Sequence, residues 1–454
     1  MLNHELISQI EQSKKDFDKL MDKLIRNLKR EEKILLLSDK RQKKEYDELE
    51  RKFEEVKKLQ KEQQELIDSF IKMIASAIDA KNEYIGAHCE RVPILTILLA
   101  KEVSKDDSID FEIKNKDEEK EISTAAWLHD SGKIVTPDFV MDKAVKLETL
   151  YNRIHEIRAR FEIVYRDLII EAQQRKLNGE DEKEVDEWLK KELDKLQEEF
   201  KFVAEMNHGY AEVNDEKIEK LKKIAKRTWL RHFDDTLGLS KEELKRISEE
   251  EKNQKLPVKE YLLADKKRHV IKRSKKEIEE LKRNGFKIKI PENLYNFGEI
   301  YNLSIKRGTL TPEEYYKIQE HVIMTIKMLE SLPFPEKFKN VPLYAGAHHE
   351  TLNGKGYPRK LKGDEIPIPA RIMAIADIFE ALTANDRPYK KRKKLSEAID
   401  ILVEKALHNE LDKQILIVFL KSKLYKKYAE MFLAKDQIDE IDEEYYIKLL
   451  KKGN

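Results

Sequence analysis

For its first 80 residues the chain contains neither glycine nor proline. Without the residue that loosens the backbone or the one that breaks the helical ladder, this stretch reads as one or two long helices. From Tyr46 onward apolar residues recur at 3/4 spacing, as Tyr46, Leu49, Phe53, Val56, Ile67, Phe70 and Ile74, with Gln60 and Gln63 on the same stripe. An earlier block, Phe17, Met21, Leu24, Leu28 and Leu35, keeps its own register. The mismatch across Leu36–Lys44 predicts a stutter or a break there. A narrow apolar stripe with charged flanks is what a dimerising coiled coil presents, and a helical hairpin packed on its own chain is the alternative.

Composition narrows the rest. Only 13 glycines and 12 prolines occur in 454 residues, which excludes collagen-like and low-complexity classes and argues against a turn-rich sandwich or barrel. The 90 basic and 89 acidic residues nearly cancel, so the net charge gives no reason to expect DNA as a partner. One cysteine, Cys89, excludes a disulfide framework and points to a reducing compartment. No apolar run reaches the roughly 18 residues that a membrane span requires, and Met1–Glu11 lacks the shape of a signal peptide. The expectation is an all-α, soluble, cytoplasmic protein with no membrane segment.

The chain divides by style. Residues 1–79 form the N-terminal helical region, and residues 80–148 are denser in apolar side chains and bring histidines. Residues 149–300 are rich in Lys and Glu and read as a helical insertion, far longer than an ordinary connection. Residues 301–454 return to the denser style and end in helices. The insertion is thus expected to split one helical domain in two.

Histidine placement carries the chemistry. His129-Asp130 closes the apolar segment Ala125-Ala126-Trp127-Leu128, with His88 upstream and His321, His348 and His349 downstream. Asp377 stands inside the apolar run Ile372–Phe379, where a lone carboxylate is costly unless paired or metal-bound. Neutral imidazoles and carboxylates suit divalent zinc, iron or manganese, and a carboxylate can bridge two such ions. Two metals roughly 3.5–4 Å apart can clamp both oxygens of a displacement at phosphorus. The other histidines, His4, His155, His208, His232, His269 and His408, sit among charged residues and are expected at the surface.

Several motifs bear a family resemblance. His129-Asp130-Ser131-Gly132-Lys133-Ile134 resembles the HD-x-GK signature of the HD superfamily of metal-dependent phosphohydrolases. His348-His349-Glu350-Thr351-Leu352-Asn353-Gly354-Lys355-Gly356-Tyr357-Pro358 is similar to the HHExxxGxGYP element of its HD-GYP subfamily. His88-Cys89-Glu90-Arg91-Val92, Leu310-Thr311-Pro312-Glu313-Glu314, Ala370-Arg371-Ile372 and Asp386-Arg387-Pro388-Tyr389 extend the likeness, which covers roughly half the chain. The resemblance implies an HD-domain helical bundle that hydrolyses cyclic di-GMP, through linear pGpG and on to GMP, with two divalent metals, iron or manganese. Carried over, His88, His129, Asp130 and Asp377 hold one metal, and Asp130 bridges to a second held by His321, His348 and His349. Lys133 and Asp130 are the catalytic residues, Lys133 donating a proton or charge to the phosphate or leaving oxygen. Gly356, Tyr357, Pro358 and Arg387 line the substrate side, with packing under the turn an equal alternative for Tyr357.

The expected partners are a cyclic dinucleotide, which the likeness implies, a second copy through the striped N-terminal helices, and a GGDEF-type diguanylate cyclase or a sensor protein. Two alternatives stay open, a cyclic di-GMP receptor or scaffold and a phosphohydrolase of another cyclic dinucleotide or nucleotide. The sequence departs from the pattern in four places. Tyr84 stands where three-metal members carry a Glu, so two metals are expected. Ser131 replaces an apolar residue. An extra residue before Arg387 weakens that carry-over. The fourth departure is the insertion itself, a candidate lid or docking arm.

Overall fold

The computed structural model describes residues 2–81, 88–384 and 393–452. The glycine- and proline-free stretch is one continuous helix, α1 (Leu2–Lys81). No break occurs at Leu36–Lys44, because nothing there removes a backbone donor and the register change is absorbed along the helix. Residues 1–70 form one unit and residues 71–454 another. Within the first, the stripe has no cover: Leu49 and Phe53 are each 66% exposed. A hairpin packed on its own chain is thereby excluded, since it would bury them.

The second unit continues with α2 (His88–Val103), α3 (Lys116–Leu128), a 3-10 turn at Ser131–Val135 and the one-turn α4 (Asp138–Met141). Asn115 caps α3 by accepting hydrogen bonds from the Asp117 and Glu118 amides at 2.9 and 3.0 Å. The downstream half supplies α12 (Pro312–Glu330), α13 (Val341–Gly346), α14 (Ile368–Thr383) and α15 (Leu395–Leu407). It ends in α16 (Lys413–Lys421), α17 (Leu424–Phe432) and α18 (Glu443–Lys452). Helix α14 is apolar on nearly every side, so it takes the centre. Its Ile372, Met373, Ile375 and Phe379 are buried with Leu95 and Leu99 of α2, Ala125 of α3, Leu402 of α15 and Phe419 of α16.

Between these halves lie α5 (Ile154–Leu177), α6 (Glu182–Met206) and α7 (Asp215–Ala225). They share their own core of Phe161, Leu168, Leu196, Val203 and Leu221. Strand β1 (Thr228–Arg231) follows, then the short α8 (Lys241–Lys245) and α9 (Glu249–Lys252), and β2 (Val258–Tyr261). Next come β3 (Val270–Lys272), α10 (Lys275–Arg283), β4 (Asn293–Asn296) and α11 (Glu299–Leu303). The fold is all-α apart from these strands, which make two antiparallel ribbons with registers Thr228↔Tyr261 and Val270↔Asn296. The sequence reading did not anticipate them. Their β-branched and aromatic residues, as in Val258-Lys259-Glu260-Tyr261 and Val270-Ile271-Lys272, favour extended backbone over runs too short for helix.

Two links place α12. Thr311 and Glu314 form a capping box at its start, and Glu314 also accepts from the Lys143 ammonium at 2.8 Å, both side chains being 1% exposed. On its far side Leu281, Phe286 and Ile288 pack on Tyr316, Val322, Ile323 and Ile326. Thus the last part of the 149–300 stretch, read as an insertion and a candidate lid or docking arm, supports the helix that carries His321.

Candidate metal centre

Five separate segments bring seven predicted ligands together. His88 opens α2, His129 and Asp130 end α3, His321 lies in α12, His348 and His349 follow α13, and Asp377 lies in α14. Six of them are buried, from His129 at 0% to Asp377 at 8% exposure. His349 is half-buried. Two groups of ligand atoms each lie within 4.8 Å of one another, His88–His129–Asp130 and His321–His348–His349.

The local backbone decides which nitrogen each ring offers. Nδ1 of His129, His321 and His348 meets the carbonyl oxygen three residues earlier, of Ala126, Ile318 and Ala345, at 2.7, 2.5 and 2.6 Å. A carbonyl only accepts, so Nδ1 carries the hydrogen and Nε2 presents a lone pair. His88 is oriented differently: its Nδ1 donates to Glu380, whose other oxygen takes Arg91 at 2.7 Å. Among the described residues Nε2 of His88, His129, His321 and His348 is buried without a hydrogen-bond partner.

Those nitrogens face carboxylates. Asp130 Oδ2 is 3.3 Å from Nε2 of both His88 and His129, while its Oδ1 is 3.2 Å from Nε2 of His321. Asp377 Oδ1 lies 3.3 Å from His88 Nε2 and 3.9 Å from His129 Nε2. Lone pairs pointed at carboxylate oxygens at this range repel unless a cation joins them. The donor set, with imidazole Nε2 held by backbone acceptors and two carboxylates, therefore fits a divalent metal.

Electrostatics agree. Burial alone would raise Asp130, but Lys133 and His129 outweigh it and hold the carboxyl well below its usual range. Burial likewise opposes ionisation of Asp377, and the facing His88 and other imidazoles keep it lowered. Burial pushes His349 down to about 3, and burial with His349 and His129 keeps His348 well below the ordinary value. At neutral pH these two rings are neutral, as ligands must be. His88 goes the other way: burial lowers it, and Glu380, Asp130 and Asp377 more than compensate.

Lys133 pairs with Asp130 through its ammonium. It sits in the 3-10 turn rather than on a continuation of α3, which brings Nζ back over the carboxylate. Burial would lower its pKa, but Asp130 and Asp377 raise it, so it stays a cation.

Two glycines allow the close packing. A Cβ on Gly132 would lie 1.9 Å from the His321 carbonyl oxygen, so only glycine fits between the turn and α12. The Gly132 amide donates to Thr325 Oγ1 at 2.9 Å, and Thr325 donates to the His129 carbonyl at 3.1 Å, stitching the two ligand-bearing segments. A Cβ on Gly356 would come within 2.4 Å of the Thr351 amide nitrogen, because the loop folds back on His349. Tyr357 stacks on the His349 ring at 4.9 Å and also packs beside Phe286 and Ile288. Pro358 is buried, its carbonyl accepting from the Lys287 amide at 2.8 Å. Arg387 and Tyr84 lie outside the described residues.

Sequence reasoning missed three supports: Glu380, Thr325 and Glu350. Glu380 lies one turn after Asp377 in the same apolar helix and is 1% exposed; a second carboxylate in that run was the available signal. Thr325 lies one turn after His321 and gave no signal. Glu350 accepts from the Arg359 and Leu361 amides at 2.6 and 3.0 Å and so closes the loop carrying Gly356. Of the remaining histidines, His208 and His269 are half-buried rather than at the surface, whereas His155, His232 and His408 are exposed.

Residues 257–415 match the HD domain family. The match begins inside the stretch expected as insertion and stops short of His88 and His129, which the intervening helices separate from it. The chain is 39% identical over 117 residues to the 3′3′-cGAMP-specific phosphodiesterase 3 of Vibrio cholerae, covering 26% of this chain and 24% of that protein. It is 33% identical over 159 residues to the 3′3′-cGAMP-specific phosphodiesterase 1 of the same organism, covering 33% and 36%. It is 39% identical over 108 residues to a cyclic di-GMP phosphodiesterase of Thermotoga maritima, covering 23% and 29%. The matched stretches thus span between 24% and 36% of these relatives' lengths. These matches, with the His129-Asp130 and Gly356-Tyr357-Pro358 elements that the fold brings to one centre, support the resemblance of the chain to HD domains of the HD-GYP family.

Proposed function

We propose that the chain is a metal-dependent phosphodiesterase of a cyclic dinucleotide, with cyclic di-GMP as its substrate. The observation that carries this is the Asp130 carboxylate, each of whose oxygens faces imidazole nitrogens of a different group. On this reading His88, His129, Asp130 and Asp377 hold one divalent cation, and Asp130, His321, His348 and His349 hold a second. Iron or manganese suits the nitrogen- and oxygen-only donor set. When bound, such ions polarise a phosphodiester and lower the pKa of a water.

The chain's own groups do the rest. Lys133, held cationic, sets a positive charge beside the phosphate and stabilises the charge that grows there. Asp130 stays ionised and keeps the two halves of the site in register. The loop at Gly356, Tyr357 and Pro358 borders the substrate, Tyr357 through its ring, with Arg387 as a further contact. Residues 80–148 and 301–454 form the catalytic domain, 149–300 the insertion, and 1–79 the input region. The exposed stripe on α1 pairs with a second copy, and a GGDEF-type cyclase or sensor protein supplies or controls the substrate.

Metal-reconstituted protein is the test, assayed with cyclic di-GMP, 3′3′-cGAMP and pGpG. Turnover of cyclic di-GMP is expected, with His129→Ala and Asp130→Ala losing metal and activity together. Two relatives are named for 3′3′-cGAMP, so preferential turnover of that dinucleotide is the second reading. Tight binding of cyclic di-GMP by metal-loaded protein without turnover of any of the three would make the chain a receptor.

A further inference from the structure

The turn that carries Asp130 and Lys133 is held unequally at its two ends. Its first half is clamped on α12 through Gly132 and Thr325. Its second half is more open: Ile134 and Val135 are 49% and 48% exposed, although Thr136 just after them is buried. A single side chain from α1 reaches this loose end. Lys81 Nζ donates to the carbonyl oxygens of Ile134 and Thr136, both at 2.6 Å, and lies 3.5 Å from that of Lys133. Asp138 Oδ1 is 3.6 Å away. A short 3-10 helix leaves carbonyls unpaired at its C-terminal end, where its dipole is negative; the Lys133 carbonyl already accepts from the Thr136 amide at 3.0 Å, and the ammonium answers those of Ile134 and Thr136.

The base of that lysine is itself anchored beside the ligands. Ala75 and Ile78 of α1 are buried against Cys89, which follows His88, and Trp127, which precedes His129-Asp130. The Cys89 amide donates to Asp79 at 3.4 Å, and the Lys72 ammonium lies 5.9 Å from the centre of the Trp127 ring. The last turns of α1 therefore touch the neighbours of three ligands and hold the open half of the catalytic turn.

We infer that Lys81 is a positioning residue: its ammonium fixes the Ser131–Val135 turn, and through it the reach of Lys133 over Asp130. Hydrogen bonds of this length fail with a displacement on the order of 1 Å, so a shift in the last turns of α1 releases the turn while leaving the imidazole ligands seated. The kinetic part of this inference rests on the phosphodiesterase reading; the structural part does not.

The test uses the full-length, metal-loaded protein with Lys81→Met, which keeps the apolar stem, and Lys81→Arg, which restores the cation. Lys61→Met, at a side chain 79% exposed on α1, is the control. Hydrogen exchange of peptides covering 131–138 is expected to speed up about tenfold in Lys81→Met, the effect of losing one or two hydrogen bonds. Peptides from α12 and α14 keep their protection. With cyclic di-GMP, kcat falls roughly 10- to 100-fold, as a misplaced catalytic group requires, while KM and metal content hold. Lys81→Arg and Lys61→Met behave as the parent protein. Unchanged exchange at 131–138 overturns the inference. So does loss of protection throughout α2, α3 and α14, which would make Lys81 a general anchor of the fold. If the parent protein turns over no cyclic dinucleotide, the phosphodiesterase reading falls, and the exchange measurement alone decides the role of Lys81.

Discussion

At the scale of single residues, the centre is built on hydrogen placement. Three imidazoles are fixed by a carbonyl three residues back, which aims their Nε2 lone pairs before any ion arrives, and the fourth, His88, is oriented through Nδ1 by Glu380. Replacing Glu380 by Gln leaves the shape but weakens the grip on His88 Nδ1. Metal affinity should fall about 10- to 100-fold, the usual effect of losing a partner behind a ligand, measurable by competition with a chelator; unchanged affinity would refute the role. Lys133→Ala should keep its full metal content yet lose roughly 100-fold in kcat, as metal analysis beside kinetics would show. His269 offers a test away from the centre. Burial pushes it down to about 4, whereas the unfolded chain protonates near 6.5. Its contribution to stability is therefore complete above pH 6.5 and lost as pH falls toward 4. His269→Asn should flatten the pH dependence of Tm across that window, and an unaltered slope would reject the assignment. That the predicted ligand residues converge was legible in the sequence because the HD and HHE elements set type and order together. Glu380 and Thr325 were not, because what they do depends on which residue from a distant segment arrives opposite them.

Among elements, contact distance is the constraint that sequence hides. Gly132 read simply as part of a signature, but in the fold it is the point where the catalytic turn meets the backbone of α12 without clearance. Gly132→Ala should cost ~3 kcal/mol or more, since backbone rather than a flexible side chain must move; thermal unfolding would show a Tm lowered by several degrees. The long helix at the N-terminus was legible from the lack of glycine and proline alone. Of the stutter or break expected in it, a break was not found, since a change of apolar register redirects a stripe without removing any helical hydrogen bond. The two ribbons were hidden for the opposite reason. Strands of three or four residues carry too few positions for a period of two to stand out against lysine- and glutamate-rich surroundings.

For the whole molecule, the exposed stripe along residues 1–70 and the interleaved halves of the site set the behaviour. Light scattering of the intact protein should report a dimer, and Leu49→Glu with Phe53→Glu should give a monomer that keeps its metal. A dimer that survives both changes would place the interface elsewhere. Composition read the chain as a dense domain interrupted by a charged intervening region. That the end of this region, Phe286 and Ile288, props up the helix of His321 could not, because packing partners so far apart along the chain leave no local pattern. The same arrangement has a consequence for folding. One set of predicted ligands precedes Asp138–Leu303 and the other follows it, so an ion held by both would clip together the ends of that long stretch. Its binding energy, about 2.7 kcal/mol when free ion exceeds the dissociation constant a hundredfold, offsets the entropy of bringing those ends together. A nascent chain that has exposed only His88, His129 and Asp130 holds half a chelate, and the site closes only once α12 and the histidine pair after α13 have been synthesised.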